Sequence, residues 1–344
     1  MPKVINKILV VNVNWLGDVI FSAPIFKAIK KAYPKATVGC LAPTGVRGVL
    51  ESIPYVDQIF CYDEKGSHLS LFAKLKLILT LRRERFDIAF LLHRSLTRAL
   101  LVFLSGIPLR IGYDTKARGF LLTHKTAPLS DPVFVHRSDI YIHVVESFGI
   151  PVEDRCPALT VSEPAQKSLR EKLMAQGVTE SDFVVVVNVG GNWDLKRWPR
   201  ENFAVLIERL IKEYHAKVII PGAEKDRELA NEIARLSASF PIILAGQTSL
   251  KELIALMHRA DIVISADTGP LHVAAGIGAD VIGLFGPTRI EVTGPRGRGL
   301  RKILLHNDVG CNKAPCYYLD CPNNVCMQSI KVDDVLHEIK RIRN

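Results

Sequence analysis

The sequence predicts an α/β protein of two doubly wound parallel sheets, and three observations lead there. The chain has 344 residues, more than one small core organises comfortably, so two domains of ordinary size are expected. Apolar runs of strand length alternate with stretches of helical periodicity, the pattern of parallel layers covered on both faces. The alternation fades between Pro151 and Pro164, where Pro151, Pro157 and Pro164 sit among Glu, Asp and Ser, and then starts afresh. The expected domains are therefore 1–160 and 161–330, followed by a terminal helical segment, 331–344.

In the first half, a strand over Lys7 to Val13 precedes a helix over Asp18 to Tyr33. A strand over Thr37 to Ala42 precedes a helix over Val46 to Ile53, and a strand over Phe86 to Leu92 precedes a helix over Ser95 to Leu104. Between these lies Leu69 to Arg85, a leucine-rich helix whose Lys and Arg gather toward its end. It reads either as a core helix with a basic last turn or as a basic amphipathic helix lying on lipid. In the second half, strands are expected over Phe183 to Val189, Lys217 to Pro221, Pro241 to Leu244, Ile262 to Ala266 and Val281 to Phe285. Helices fall between them over Glu201 to Tyr214, Lys225 to Ser237, Ser249 to His258 and Pro270 to Gly276. Two such sheets facing one another form a cleft at the carboxyl ends of their strands, and the active site is expected there.

Composition narrows the function. No apolar stretch approaches the ~20 residues of a spanning helix, and no signal peptide is recognisable, which points to the cytoplasm. The net charge is +10; residues 1–160 carry 21 Lys/Arg against 13 Asp/Glu, and residues 161–344 carry 24 against 22, so the halves hold +8 and +2. The first half faces something acidic: nucleic acid, an anionic membrane or a phosphorylated acceptor. No aromatic-studded basic strand supports nucleic acid. The chain lacks GxGxxG after a strand and lacks GxxxxGK[ST], which disfavours dinucleotide dehydrogenases and P-loop hydrolases. It also lacks two aspartates separated by one residue, the acidic clamp that holds a divalent ion in many sugar transferases, so metal-independent chemistry without a cofactor is expected.

Three clusters carry chemistry. Asp267-Thr268-Gly269-Pro270-Leu271-His272 ends a buried strand and opens a helix with proline at its first turn. Such a helix end presents N–H groups and a positive dipole to phosphate, Thr268 adds a hydroxyl, and Gly269 permits close approach. The alternative is that Asp267 or Thr268 only caps the helix. Gly190-Gly191-Asn192-Trp193-Asp194-Leu195-Lys196-Arg197 follows the first strand of the second half, and Lys196 or Arg197 can offset the charge of a departing diphosphate. Asn14-Trp15-Leu16-Gly17-Asp18 follows the first strand of the basic half. Gly17 allows a sharp turn, and Asp18 is either a helix-terminal carboxylate or a general base for an acceptor hydroxyl. Cys311, Cys316, Cys321 and Cys326 recur every five residues, which is not the CxxC spacing of zinc or redox sites. Free thiols, a tetrathiolate metal site and disulfides all remain open readings.

With these clusters in hand, the sequence resembles the ADP-heptose:lipopolysaccharide heptosyltransferases, glycosyltransferase family 9, and within it the heptosyltransferase II type. The resemblance lies in NWLGDVIFSAPIFKAIKKAYP, RIGY at Arg110 to Tyr113, GGNWDLKRWP, PGAEKDRE and SADTGPLHVAAGIGADVIGLFGPT, in that order. It implies a GT-B fold of two facing Rossmann-like lobes, an ADP-heptose donor, inversion at the anomeric carbon, and a lipopolysaccharide inner-core acceptor carried on a Kdo–lipid A anchor at the inner membrane. It makes Asp18 the base, Lys196 a diphosphate contact, Thr268 and Gly269 phosphate-binding, and Asp267 and His272 part of the donor pocket. Gly190, Gly191 and Asn192 join that pocket, Glu224 would reach the ribose, and Thr248, Ser249 and Leu250 would lie beside adenine. Asn14, Trp15, Arg94, Arg98, Arg110, Lys116, Arg118, His136 and Arg137 would face the anionic acceptor, and the final helix, Val332 to Arg343, would pack on the first lobe. The other activities compatible with these residues are transfer from a different nucleotide sugar and non-catalytic nucleotide-sugar binding.

Overall fold

The computed structural model describes residues 5–115, 117–129, 134–298, 302–311, 316 and 321–343. Lys116, expected on the acceptor side, lies outside the described residues. The chain forms two compact units, Met1–Ala158 and Leu159–Asn344, and the division falls inside the proline-rich stretch between Pro151 and Pro164.

The first unit runs β1 (Lys7–Val11), α1 (Leu16–Ser22), α2 (Pro24–Ala32), β2 (Thr37–Ala42), α3 (Arg47–Leu50), β3 (Gln58–Cys61), α4 (Leu71–Glu84), β4 (Ile88–Leu91), α5 (Leu96–Leu104), β5 (Leu109–Tyr113), β6 (His124–Thr126) and α6 (Arg137–Glu146). Its six parallel strands are ordered β3-β2-β1-β4-β5-β6. The helix expected over Asp18 to Tyr33 is two helices, because Pro24 has no N–H to continue the ladder and starts α2 instead. Gly17, expected at a sharp turn, is the second residue of α1; the turn is made by Asn12 to Trp15. The helix expected over Val46 to Ile53 contracts to α3 after a 3-10 turn over Thr44–Val46.

The second unit runs α7 (Glu163–Ala175), β7 (Val184–Asn188), α8 (Arg200–Tyr214), β8 (Lys217–Ile220), α9 (Arg227–Leu236), β9 (Ile242–Ile243), α10 (Leu250–Arg259), β10 (Ile262–Ala266), α11 (Gly269–Ile277), β11 (Val281–Leu284), α12 (Ile290–Thr293), β12 (Lys302–Leu305), α13 (Val325–Gln328) and α14 (Val332–Arg343). Its strand order, β12-β11-β10-β7-β8-β9, repeats that of the first unit. β7 reads VVVVN and is buried at every residue, as a central parallel strand covered on both faces must be. α14, expected to pack on the first lobe, is seated in the second unit's own core. Val335, Leu336, Ile339 and Ile342 join the cluster around Trp198, Phe203 and Leu210, and each such burial is worth about 1.5–3 kcal/mol.

In both units the chain reverses its direction of winding between two central strands, β1 and β4 in the first and β7 and β10 in the second. Ligands of open α/β sheets bind beyond the carboxyl ends of such strands, where the loops splay apart. The Asn14 to Asp18 segment follows β1, the Gly190 to Lys196 segment follows β7, and Asp267 follows β10. All three chemical clusters therefore sit at switch points.

Candidate active site

In the second unit the centre is Asp267, only 3% exposed. Lys196 Nζ donates to its Oδ2 at 2.8 Å and to its backbone carbonyl at 3.1 Å, and Thr293 Oγ1 donates to Oδ2 at 2.9 Å. His272 Nε2 lies 3.2 Å from Oδ1, so in this geometry Nε2 carries the proton. Burial alone would raise the Asp267 pKa. The hydrogen bond from His272 and the Lys196 ammonium overcome it and hold the carboxyl well below the usual carboxylate range. The result is a fixed anion that keeps the Lys196 ammonium at the first turn of α11.

Neither Asp267 nor Thr268 caps that helix. Thr268 occupies the N-cap position without a side-chain bond to the first turn; its hydroxyl meets Ser265 Oγ at 3.1 Å and accepts from Asn188 Nδ2 at 3.1 Å. Asn188 and Ser265 stand side by side on β7 and β10 and are linked at 3.0 Å. The sequence left capping and anion binding open at this turn, and no side chain caps it here. With Pro270 in its first turn, α11 presents its positive end and the adjacent Lys196 ammonium.

The loop after β7 also separates its two cations. Arg197 braces the loop itself, donating to the Gly191 carbonyl at 2.8 Å and pairing with Asp194 at 2.8 Å, whereas Lys196 turns to Asp267 over the Trp193 ring. Gly190 is required because a Cβ there would stand 2.6 Å from Asp226 Cγ, and the buried Asp226 carboxylate in turn accepts from Ala223 N–H at 3.0 Å. Asn192 is exposed and hydrogen-bonded to Lys225. Glu224 opens a 3-10 turn beyond β8 and pairs with Arg227 at 2.8 Å, its side chain 69% exposed. Thr248 precedes α10. Ser249 caps that helix, accepting from Glu252 N–H while Glu252 Oε2 accepts from Ser249 N–H, and Leu250 is its first residue.

In the first unit, Asp18 lies in the first turn of α1 and accepts a hydrogen bond from Tyr141 Oη at 2.8 Å. Burial, reinforced by the Asp18 charge, pushes the Tyr141 pKa well above 10, so the phenol stays a donor throughout the neutral range. Trp15, three residues before Asp18, stands 66% exposed. Asn14 is exposed and its amide meets His93 Nε2 at 3.2 Å, while Arg94 lies over the Tyr113 ring.

Three arginines expected at an acceptor surface brace backbone carbonyls, and two of them, Arg98 and Arg118, are buried. Arg98 is 1% exposed; its guanidinium donates to the Asn12 carbonyl at 2.6 Å and to Asn14 Oδ1, and so fixes the loop that carries Trp15 and Asp18. Arg118 is fully buried, donating to the Tyr113 and His93 carbonyls, and desolvation together with the nearby Arg94 charge pulls its pKa down to about 10. Arg110 is half-buried and donates from Nε and Nη1 to the Leu121, Ile107 and Pro108 carbonyls. His136 is buried at the start of α6, where Nδ1 accepts from Ser138 N–H at 3.1 Å. Buried carbonyls must be satisfied, and the Arg98 and Arg118 guanidinia reach Asn12 and His93 across a distance in sequence that no local pattern reveals. Arg137 remains exposed.

Two partners escaped sequence reasoning. Thr293 sits 26 residues beyond Asp267, and Tyr141 sits 123 residues beyond Asp18. Thr293 lies just past the Gly286-Pro287-Thr288 turn, which was a weak pointer; Tyr141 had none. Cys311, Cys316, Cys321 and Cys326 line one cavity with His306, and no disulfide links any of the seven cysteines. Among the described residues no group of His, Cys, Asp and Glu is gathered closely enough to hold a metal ion.

Comparison with known proteins decides the family. The profile of glycosyltransferase family 9 (heptosyltransferase) matches residues 74–321. The chain belongs to glycosyltransferase family 9. Lipopolysaccharide heptosyltransferase 2 of Salmonella typhimurium is 30% identical over 312 residues, which span 87% of this chain and 88% of that one. The solved ADP-heptose lipopolysaccharide heptosyltransferase II of Escherichia coli superposes with a TM-score of 0.80 at 25% identity, covering 98% of both chains. A family 9 glycosyltransferase from Veillonella parvula superposes with a TM-score of 0.85 at 23% identity, covering 99% of this chain and 98% of that one. The protein is thus a glycosyltransferase, and its two doubly wound sheets are those of the GT-B fold.

Proposed function

We propose that this family 9 glycosyltransferase transfers a heptose from ADP-L-glycero-β-D-manno-heptose to the inner core of lipopolysaccharide, with inversion and without a metal ion, at the cytoplasmic face of the inner membrane. The observation that carries the reading is the Lys196–Asp267–His272 cluster at the start of α11, an ammonium and a helix dipole held ready for a diphosphate. The heptose and its acceptor rest on the names of the relatives, which are lipopolysaccharide heptosyltransferases and an enzyme of ADP-heptose.

In this reading the second unit binds donor. Lys196, Thr268 and Gly269 hold the diphosphate, Gly190, Gly191 and Asn192 border it, Glu224 takes the ribose, and Thr248, Ser249 and Leu250 take the adenine. Asp267 and His272 position Lys196. The first unit binds acceptor through Asn14, Trp15, Arg94 and the exposed Arg137. Asp18 Oδ1 is engaged by Tyr141, which leaves Oδ2 to take the proton of the acceptor hydroxyl. The acceptor hydroxyl oxygen forms the new bond to the anomeric carbon as the bond to ADP breaks, the electron pair leaves with ADP, and the configuration inverts. Lys196 and the α11 amides offset the charge that builds on the leaving diphosphate.

The test pairs two measurements. Asp18→Ala abolishes transfer while ADP-heptose binding, followed by calorimetry, stays nearly intact; full activity in this variant sinks the assignment of the base. Turnover with ADP-heptose beside UDP- and GDP-sugars, on core acceptors of stepwise length and read by mass, identifies donor and acceptor. Preference for a UDP- or GDP-sugar overturns the choice of heptose.

A further inference from the structure

α4 and α5 of the first unit bury one apolar face, through Leu77, Ile78 and Leu81 and through Ala99, Leu101 and Val102, and carry further apolar side chains on their outer faces. On α4, Leu71 and Phe72 are 83% and 80% exposed, and Leu75 and Leu79 continue the same side of the helix at the spacing of one turn. α5 packs beside α4; Arg98 is buried among its inner residues, while Leu96, Leu100, Phe103 and Leu104 each stand more than 40% exposed. A monomeric surface scatters such residues singly, and eight of them gathered on two adjacent helices call for a partner.

Charge identifies the partner. Along α4 and its cap, Lys76, Arg82, Arg83 and Arg85 are exposed, Arg82 and Arg83 extend the apolar stripe toward the helix end, and the one acid, Glu84, is taken by Lys7 at 2.8 Å. The unit as a whole carries an excess of +8 over residues 1–160, from 21 Lys/Arg against 13 Asp/Glu. An apolar stripe edged with unneutralised cations fits the headgroup and acyl boundary of an anionic bilayer. No helix among the described residues is long and apolar enough to cross a membrane, so contact is made by lying on it. We infer that the outer face of α4 and α5 is a docking surface for anionic lipid bilayer. This deepens the proposed activity and rests on it in supposing a lipid-borne acceptor.

The test is co-sedimentation of the full chain with phosphatidylcholine vesicles with and without phosphatidylglycerol, over a salt series. Binding requires phosphatidylglycerol and weakens with salt. Arg82→Glu and Arg83→Glu each weaken it by roughly fivefold or more, as ~1 kcal/mol per surface cation implies. The triple variant Phe72→Ser, Leu75→Ser, Leu100→Ser abolishes binding while its circular dichroism is unchanged. All variants retain transfer to a delipidated, water-soluble core acceptor, so loss of binding is read apart from failure of the activity itself. Absence of vesicle binding by the parent chain, equal binding by all variants, or a dimer in light scattering that the same serines dissolve overturns the inference.

Discussion

Replacing Lys196 by alanine tests the centre of the second unit. It strips the ammonium from a carboxylate that is 3% exposed and leaves Asp267 with His272 and Thr293 alone. Removing one partner of a fully buried ion pair costs about 3–5 kcal/mol. The Lys196 side chain is 20% exposed, so water can replace part of the lost charge, and the expected loss is at or just below the bottom of that range, about 2–3 kcal/mol. The sign of the pH dependence follows from the depressed pKa of Asp267. A carboxyl whose folded pKa lies below its unfolded value of about 3.9 contributes stability that is complete above that value and is lost as pH falls through the folded one. The gap between wild type and Lys196→Ala in urea unfolding is therefore full at pH 7 and narrows below about pH 4. Transfer falls by about 10²–10³ in kcat if the ammonium carries the leaving diphosphate. A variant as stable as wild type at pH 7, or a gap that holds constant into acid, would refute the pairing; Asp267→Asn in a double-mutant cycle isolates the coupling.

Three further outcomes are expected. Arg98→Met leaves the buried Asn12 carbonyl unpaired, lowering stability by about 1–3 kcal/mol and loosening the Trp15 to Asp18 segment; thermal unfolding and acceptor KM measured together show whether the loss is confined to stability. Gly190→Ala forces a Cβ to within 2.6 Å of Asp226 and destabilises by about 1–3 kcal/mol, so an unchanged melting temperature contradicts the close approach. Tyr141→Phe removes the donor to Asp18, costs about 1 kcal/mol in stability and lowers kcat with donor affinity unchanged in calorimetry; a rise in donor Kd instead argues that Asp18 belongs to another step.

Much of the architecture was legible because parallel sheets write themselves plainly. β10 covers the expected Ile262 to Ala266, and α8 begins one residue before the expected helix and ends with it at Tyr214. Other elements were not legible, although β9, a two-residue edge strand, falls within the expected Pro241 to Leu244. β3 and β6, of four and three residues, and the helices α6 and α7 gave no periodicity strong enough to separate them from loops. The chemical clusters were readable as clusters, since the strand-turn-helix pattern alone places Asp267, Lys196 and Asp18 at carboxyl ends of strands.

The sequence by itself determined the fold class, the break near residue 160, the location of three polar turns and the basic bias of the first half, because each depends on local spacing or simple addition of charge. Only the tertiary structure decided what each polar group does. It turned Arg98, Arg110 and Arg118 from surface charges into braces, assigned Lys196 to Asp267 and Arg197 to its own loop, and supplied Thr293 and Tyr141 from distant segments. The physical reason is that a buried polar atom must find a partner wherever packing brings one near. Nearness in a folded core is set by the meeting of β7 with β10, or α1 with α6, and leaves no mark in the spacing of residues along the chain.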